Sequence, residues 1–366
     1  MKFINIRLTN FRNYEKLNLE FNPTKNIIIG ENGEGKTNIV EALYVLSLSK
    51  SFRGSHEDVI IMNGCESTTI EGTVKDKYKD KYKLVLSKEG KRVFINNNKI
   101  DKISDYLSKI NIVLFTSEDL KLIKDTPNTR RRLINIELSQ YSNEYLKLLS
   151  NYNKILKQRN AFLKMLRFNA NSSRSYLDIL TNQLIDLGIK IHKYRIDFVN
   201  NISNYIENNY YKIAKKHGLV LTYKSDFMNK EKEDLLKIYK KDLDKDIMQG
   251  KTNIGIHHDD YVFELNGNNL RDFGSEGEQK NAIISLKMAE IDIFREDLNI
   301  IPILILDDLF SELDKKKINN ILDFISDDIQ TFVTTTELTK VDKRLKVGSK
   351  IFKIKNGNIK EEYYEW

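Results

Sequence analysis

A glycine-rich octet near the start of the chain constrains the fold more than any other feature. It directly follows the largely apolar run Asn26–Ile29 and has the sequence Gly-Glu-Asn-Gly-Glu-Gly-Lys-Thr. In a strand–loop–helix arrangement, the backbone N–H groups of such a loop and the helix N-terminus form a cradle for polyphosphate. Glycines let the backbone turn and approach the phosphates closely, because no Cβ intervenes. The predicted phosphate-binding residues are Gly30, Glu31, Asn32, Gly33, Glu34, Gly35, Lys36 and Thr37.

A second motif lies 271 residues after Lys36, where the four apolar residues 303–306 end in Asp307 and Asp308. An apolar strand that ends in carboxylates, in a chain that also has a P-loop, is typical of a Walker B motif. Asp307 and Thr37 are then predicted to hold Mg²⁺, while Asp308 orients and polarises the attacking water. Lys36 would reach the β- and γ-phosphates. The sequence thus predicts ATP and Mg²⁺ as cofactors, with Lys36 and Asp308 as catalytic residues.

A third motif, Ser275–Gln279, lies between the other two and opens a predicted helix. It resembles the signature of ABC-type ATPases, which has a Ser-x-Gly-x-Gln core. In that superfamily the start of this helix faces the γ-phosphate held by a partner subunit, and a serine hydroxyl and a glycine N–H act as anion ligands. The resemblance implies that ATP joins two copies head to head, with contributions in trans from Ser275, Gly277 and Gln279.

The spacing of these motifs predicts a head that an insertion interrupts. Between residues 130 and 216 there is no proline, Gly188 is the only glycine, and apolar residues recur at helical spacing. This pattern predicts two long antiparallel helices with a turn at 169–173. The predicted fold class is therefore α/β, an ABC-type P-loop ATPase head with an inserted helical arm domain. The predicted parts are the N-terminal head at 1–118, the arm at 119–255, and the C-terminal head with signature and Walker B at 256–366.

Composition narrows the class of protein further. The chain has a net charge of +8, and residues 119–255 carry 26 Lys and Arg against 15 Asp and Glu. Such a basic segment indicates contact with a polyanion, although a lysine-rich solvated helical surface is the alternative. Cys65 is the only cysteine, which excludes an internal disulfide and a cysteine-based metal cluster. With no signal-peptide pattern and no apolar run of membrane-spanning length, we expect a cytoplasmic protein without membrane contact.

Several segments together resemble the RecF family of bacterial replication and recombinational repair proteins over essentially the whole chain. The family's opening is similar to Leu8–Tyr14, and its P-loop to Gly30–Asn38. Its later motifs are similar to Phe115–Leu120, Arg271–Ser275 and Phe332–Thr336. The chain departs from the family pattern at Ile256–Asp260, where the family has Pro-His-Arg-Asp-Asp, and at Thr116-Ser117, where it has Ser-Pro.

The resemblance implies an ATP-dependent DNA-binding protein that acts in replication and recombinational gap repair. It would dimerise on ATP and bind double-stranded DNA, with junctions of single and double strands as an open alternative. It would also work with RecR and RecO to load RecA. Duplex DNA would stimulate its ATPase activity. That activity would be weak, because Thr336 stands where transporters have a switch histidine and Asp308 where many relatives have Glu.

The resemblance also assigns roles to residues outside the main motifs. Arg12 lies where related ATPases contact nucleotide, and Glu118 occupies the position of their Q-loop. Candidate DNA contacts are Arg130, Arg131 and Arg132, with salt bridges between arm and head as the alternative.

Two other functions fit parts of the sequence. One is the nucleotide-binding subunit of an ABC transporter, which the arm insertion and the missing switch histidine disfavour. The other is a nucleotide-locked scaffold that does not hydrolyse ATP, which the retained pair Asp307 and Asp308 disfavours.

Overall fold

A computed structural model describes residues 1–54, 57–107, 109–168 and 174–365, with the backbone alone at 57 and 58. The chain divides into two compact units. The first unit comprises Met1–Lys121, Asn209–Lys215 and Ile283–Trp366, and the second unit comprises Leu122–Asn208 and Lys216–Ala282. The turn predicted at 169–173 lies outside the described residues.

The strands of the described residues form three sheets. In chain order they are β1 (Lys2–Phe11), β2 (Tyr14–Glu20), β3 (Lys25–Ile29), β4 (Ser67–Lys75), β5 (Lys79–Ser87), β6 (Gly90–Ile95), β7 (Asn98–Ile100), β8 (Ile112–Thr116), β9 (Leu219–Lys224), β10 (Asp260–Leu265), β11 (Asn268–Asn269), β12 (Ile303–Asp307), β13 (Thr331–Thr335), β14 (Ser349–Lys355) and β15 (Asn358–Glu365).

Helices connect and cover these sheets, and two of them are much longer than the others. In chain order they are α1 (Lys36–Leu48), α2 (Ile103–Tyr106), α3 (Pro127–Tyr141), α4 (Asn143–Phe168), α5 (Ser175–Ala214), α6 (Lys232–Lys241), α7 (Leu243–Gln249), α8 (Leu270–Phe273), α9 (Glu276–Asp292), α10 (Lys315–Leu322) and α11 (Lys343–Lys346).

A mostly parallel sheet at the centre of the first unit positions the predicted site. Its order is β15-β14-β3-β13-β12-β8, and every neighbouring pair except β14–β15 is parallel. All five residues of β12 and of β13 are buried, as is usual for the central strands of a parallel sheet, and β12 is accordingly apolar up to Asp307. Because the carboxyl ends of parallel strands meet at one edge, the P-loop after β3 and the carboxylates that end β12 lie at the same edge.

A second, antiparallel sheet completes the first unit, in the order β2-β1-β4-β5-β6-β7. Strand β4 alternates buried and half-buried residues along its length, as the period-two pattern predicts for a strand with one face on the core. Helix α1 is buried along almost all of its length, with Ile39, Leu43 and Leu46 among its fully buried residues. The helix that the strand–loop–helix arrangement predicts after the P-loop is confirmed.

The second unit contains the predicted long helices. The apolar stripe of α5 is buried as expected at Leu177, Leu184 and Ile191. Sequence periodicity did not separate α3 from α4, which meet at Ser142 in an extended conformation. Two buried arginines join these helices to later segments: Arg195 to Asp259, and Arg159 of α4 to Asp246.

The compact units divide the chain differently from the predicted insertion at 119–255. Residues 256–282 belong to the second unit because β10 pairs with β9 along its whole length. The segment predicted as the signature therefore begins in the second unit, and α9 continues from it into the first.

Candidate nucleotide-binding site

The loop 30–37 connects the buried strand β3 to helix α1, as the sequence predicts. Gly35 has a φ of +107°, in the left-handed region that favours glycine. A Cβ there would stand 2.7 Å from Nδ2 of Asn13 and 2.8 Å from the hydroxyl of Tyr14. That hydroxyl donates a hydrogen bond of 3.1 Å to the Gly35 carbonyl. A larger residue at 35 would thus be both strained and obstructed.

Lys36 lies within this loop with its ammonium group held in place. The residue is 6% exposed, and its Nζ donates to the Glu31 carbonyl over 2.8 Å. Burial lowers the pKa of Lys36, and nearby carboxylates, with Asp308 foremost, partly offset that effect. A cation set among backbone N–H groups is the arrangement that binds the phosphates of a nucleotide.

The carboxylate of Asp307 ends β12 beside the start of α1. Its Oδ1 accepts hydrogen bonds from the hydroxyls of Thr37, over 3.1 Å, and Thr334, over 2.6 Å. Burial raises the pKa of Asp307, and these two hydrogen bonds act in the opposite direction. A buried carboxylate beside a threonine hydroxyl is a suitable pair of oxygen ligands for Mg²⁺.

No group of three or more His, Cys, Asp or Glu that could hold a metal occurs in the described part of the chain. Mg²⁺ is usually held by one or two carboxylates together with substrate phosphates and water, and Asp307 beside the Thr37 hydroxyl offers such ligands. The residues present therefore fit a nucleotide-bound magnesium ion rather than a metal cage made by the protein alone.

Asp308 follows directly and has a φ of +49°, which is uncommon for a residue other than glycine. Its backbone N–H donates to the hydroxyl of Thr334 over 2.9 Å. Asp308 also lines a pocket of about 290 Å³ at the P-loop. The other residues of that pocket are Asn32, Gly33, Gly35, Lys36, Thr37, Asn38 and Arg53.

A second cleft of about 800 Å³ shares Asn38 and Arg53 with this pocket and extends past Arg12. Arg12 makes two hydrogen bonds to the carboxylate of Glu41, over 2.9 and 2.6 Å. Arg53 lies 3.6 Å from the same carboxylate and donates to Oδ1 of Asn38 over 3.0 Å. The structure thus places Arg12 in the cleft next to the P-loop pocket, and its contact with nucleotide stays a prediction. The cluster around it includes two residues that the sequence analysis missed, Glu41 and Arg53.

Glu41 and Arg53 left only a weak signal in the sequence. Glu41 is a single carboxylate in the otherwise apolar stretch Ile39–Leu46 of the P-loop helix. Such a residue in a buried helix requires a partner, but its sequence position cannot identify Arg12 or Arg53.

Glu118 is exposed and lies two residues beyond the end of β8. Thr116 of β8 pairs in register with Asp307 of β12, so Glu118 follows the same edge of the sheet. The hydroxyl and N–H of Thr116 are both bonded to Asp119, which fixes the turn before Glu118. This placement is compatible with the Q-loop role that the resemblance implies.

The predicted signature forms the capped start of α9. The Ser275 N–H donates to the Glu278 carboxylate over 3.1 Å, and the Glu278 N–H donates to the Ser275 hydroxyl over 3.3 Å, which is a capping box. The Ser275 hydroxyl also donates to that carboxylate over 2.8 Å. The hydrogen bonds from Ser275 lower the pKa of Glu278. Gln279 instead is buried, and its amide donates to the carbonyls of Leu270 and Gly274. The structure thus places Ser275 and Gly277 at the helix start and Gln279 beneath it.

The three predicted DNA-contact arginines have different environments. Arg130 is 4% exposed, forms a two-pronged salt bridge with Asp260, and gives its remaining nitrogen to backbone carbonyls. Arg131 donates to the Asp259 carbonyl over 2.6 Å, and burial lowers its pKa. Arg132 is exposed. For Arg130 the geometry favours the alternative, a structural ion-pair role, because all three of its nitrogens have partners inside the protein. Arg131 is anchored by one bond to a backbone carbonyl.

The P-loop after β3 and the carboxylates that end β12 lie at the same edge of a mostly parallel sheet, with β13 between the two strands. The chain has the fold of an ABC-type ATPase head, which RecF and SMC proteins share. The model of the RecF/RecN/SMC N-terminal domain family matches residues 2–360. Together with its full-length relatives, this match shows that the chain belongs to the RecF family.

Similarity extends over the whole chain in several relatives. The DNA replication and repair protein RecF of Listeria monocytogenes serotype 4b is 38% identical, covering 99% of this chain and 100% of the relative. RecF of Ligilactobacillus salivarius is 37% identical over 98% of this chain and 97% of its own length. These named relatives are replication and repair proteins, as the sequence resemblance predicts, and not transporter subunits.

Comparison with solved structures also shows similarity to RecF. The recombination mediator protein RecF with ATP, from the RecFOR pathway, has a TM-score of 0.90 at 29% identity, covering 99% of this chain and 97% of that one. The Smc head domain of Pyrococcus furiosus has a TM-score of 0.52 at 18% identity over 99% of this chain and 96% of its own, which shows a shared fold.

Among the described residues, no helix is both long and apolar enough to cross a membrane.

Proposed function

We propose that this chain is an ATP-dependent DNA-binding protein of replication and recombinational gap repair, in which ATP joins two copies and hydrolysis releases them. The proposal that the chain binds ATP rests on the contact between the Thr37 hydroxyl and Asp307, beside the pocket that Lys36 lines. A phosphate cradle and a pair of oxygen ligands for Mg²⁺ meet there at one edge of the sheet.

Each residue of this edge has a role that follows from its position. The loop N–H groups and Lys36 would bind the phosphates, and Thr37 with Asp307 would hold Mg²⁺. When bound, Mg²⁺ neutralises phosphate charge and orients the nucleotide. Asp308 lines the same pocket without being buried, so it is the residue placed to accept a proton from, or orient, a water molecule.

The dimer part of the proposal is supported by the start of α9. Ser275 and Gly277 are exposed at a helix N-terminus, where N–H groups and the helix dipole favour an anion. Among the described residues, nothing beyond its chain neighbours comes within 4 Å of where a Cβ of Gly277 would stand. Phe273, two residues before Ser275, is 77% exposed, as is common for an aromatic residue at an interface. A second copy would therefore present this surface to the γ-phosphate.

The DNA part rests on the charge of residues 119–255 and on the family. Exposed lysines there can contact backbone phosphates without reading the base sequence. Arg130 is not a DNA contact in this proposal, since all three of its nitrogens donate to groups inside the protein. Cooperation with RecR and RecO, and the loading of RecA, are proposed from the names of the relatives and from the resemblance.

Light scattering with and without Mg²⁺ and a slowly hydrolysed ATP analogue tests the dimer. We expect the mass to double with nucleotide, to stay at one subunit in Lys36→Ala because ATP binding is lost, and to stay there in Ser275→Arg although ATP still binds. Ser150→Arg, an exposed position on α4, is the matched control and should dimerise normally.

Different results would contradict the trans-site assignment of Ser275 and the ATPase activity. If Ser275→Arg also lost nucleotide binding as a monomer, the assignment of Ser275 to the partner's site would be wrong. If the wild type bound ATP and DNA but showed no turnover with duplex DNA, the nucleotide-locked scaffold would replace the ATPase.

A further inference from the structure

The turn that carries the two carboxylates of the site has an unfavourable backbone conformation. Asp307 is the last residue of β12, and Asp308 follows with a φ of +49°. A residue with a side chain holds such a conformation only when the surrounding structure determines it. The carboxylate of Asp307 is also buried, so it needs hydrogen-bond donors to remain there.

Thr334 satisfies both requirements with one hydroxyl group. It lies in β13, in register with Asp307 on the neighbouring parallel strand, and is 1% exposed. Its Oγ1 donates to Oδ1 of Asp307 over 2.6 Å and accepts from the N–H of Asp308 over 2.9 Å. A hydroxyl can donate and accept at once, which neither a methyl group nor a carboxylate at this position could do.

We propose that Thr334 is a positioning residue for ATP hydrolysis, whose hydroxyl sets the geometry of Asp307 and Asp308 relative to each other. This inference rests on the proposed ATPase function. With Oδ1 bonded to the hydroxyls of both Thr334 and Thr37, the Asp307 carboxylate has little freedom to rotate. The bond from the Asp308 N–H holds the turn that aims the second carboxylate toward the pocket.

The neighbouring threonine shows what a purely structural role looks like. Thr335 is also in β13 and 3% exposed, but its hydroxyl donates to the Glu337 carbonyl over 3.1 Å and so closes the next turn. Thr334 and Thr335 thus have the same residue type, strand and burial, and different partners. This makes Thr335 a matched control.

The test compares Thr334→Val, which keeps the shape and removes the hydroxyl, with Thr334→Ser, which keeps the hydroxyl. Hydrogen bonds to a charged group contribute about 1.5–3 kcal/mol, which corresponds to about tenfold to hundredfold in an equilibrium or rate. We expect Thr334→Val to lower kcat by that factor with a much smaller change in KM for ATP. The affinity for Mn²⁺ with a slowly hydrolysed ATP analogue, measured by electron paramagnetic resonance, should fall about tenfold. Thr334→Ser should restore both quantities, and Thr335→Val should leave both near the wild-type values.

The outcomes separate this inference from the proposed function. If the wild type hydrolyses ATP and Thr334→Val matches it in kcat and Mn²⁺ affinity, the positioning role is overturned. A loss in Thr335→Val equal to that in Thr334→Val would also overturn it, since the effect would then be general to the strand. If the wild type itself neither binds nor hydrolyses ATP, the proposed function fails first. Should Thr334→Val not fold, Thr334→Ala carries the same expectation, and circular dichroism confirms which variant is folded.

Discussion

Glu41 is a buried carboxylate that pairs with two arginines, Arg12 and Arg53. Its side chain is fully buried on the P-loop helix, and it accepts hydrogen bonds from Arg12 and Ser51. Burying a carboxylate costs free energy, and ion pairs with arginines offset that cost only partly. The Glu41 carboxylate holds the side chains of Arg12 and Arg53 in fixed orientations. Both arginines line the 800 Å³ cleft beside the P-loop pocket.

Glu41→Gln should therefore weaken both the fold and nucleotide binding. The amide leaves Arg12 partly unpaired in a largely buried place, so we expect the free energy of unfolding to fall by about 3 kcal/mol. Nucleotide affinity should fall about tenfold, or about 1.4 kcal/mol, because the two arginines lose their common anchor. Urea unfolding and titration with a fluorescent ATP analogue measure these effects.

Glu15→Gln, an exposed change on β2 of the same unit, is the control and should be silent. Unchanged affinity in a Glu41→Gln protein that is clearly destabilised would show that Glu41 stabilises the fold without orienting the cleft.

At the scale of elements, local sequence patterns predicted the strands and helices that hold the candidate site residues. The P-loop followed from a β-strand and a glycine spacing, and the Walker B strand from four apolar residues before two carboxylates. Both signals are contiguous in the chain, because each motif is a strand and the turn that follows it. The helix boundary at Ser142 was missed, since the apolar spacing of α3 continues almost in phase into α4.

What local patterns could not supply were contacts between distant segments. Thr334 lies 27 residues from Asp307 and meets it through strand register, and Arg12 meets Glu41 over 29 residues. Arg130, in a run of three arginines, suggested a basic surface, yet Asp260 lies 130 residues away and pairs with it. Charge in a sequence does not reveal which charges are already neutralised in the fold.

A loop of the second unit offers a pH-dependent test of the fold. His257 Nε2 faces the Thr252 carbonyl, which can only accept, so this nitrogen carries the proton and Nδ1 accepts from the Tyr152 hydroxyl. Burial lowers the pKa of His257 to about 4, with the neighbouring His258 and Arg131 adding to that effect. Burial similarly lowers the pKa of His192 to about 4. Both rings are therefore neutral in the native protein at neutral pH.

The sign of the pH effect follows from linkage. The unfolded chain takes up a proton at His257 near pH 6.5, whereas the folded chain does so only near pH 4. Stability is thus retained above about pH 6.5 and declines as pH falls from there toward 4. His257→Gln, whose amide can mimic the neutral ring, should make this decline shallower by up to about 1 kcal/mol per pH unit. Urea unfolding between pH 7 and 4.5 measures it. An equal slope in His257→Gln and wild type would contradict the assignment.

At the scale of the whole molecule, the two signs of charge are unevenly distributed. Residues 119–255 carry the excess of Lys and Arg, while the rest of the chain has 34 basic against 37 acidic residues. Within α4, the exposed Lys154, Lys157 and Lys164 fall on one helical face by their spacing, and the buried Arg159 lies on the other side. Helical geometry thus separates the cations available for binding from those that hold the fold together.

This face should contribute to DNA binding through phosphate contacts alone. Each Lys that contacts a phosphate releases counterions, so the logarithm of affinity should fall linearly with the logarithm of salt concentration, by about 0.9 per contact. Replacing Lys154, Lys157 and Lys164 together by Ala should weaken binding to duplexes of any sequence and reduce that slope by up to about 3. Fluorescence anisotropy between 50 and 300 mM salt, with Mg²⁺ and a slowly hydrolysed ATP analogue, measures both quantities.

The matched control replaces Lys77, Lys79 and Lys99 by Ala, three exposed lysines of the first unit, and so changes net charge by the same amount. Net charge acts at a distance and mainly on the rate of association, whereas contacts change the number of released counterions. If both triple variants lower affinity and slope equally, long-range attraction would explain the binding, and α4 would not be part of the DNA contact surface. If the control keeps the wild-type slope while the α4 variant loses two to three units, the basic face of α4 lies on the phosphate backbone.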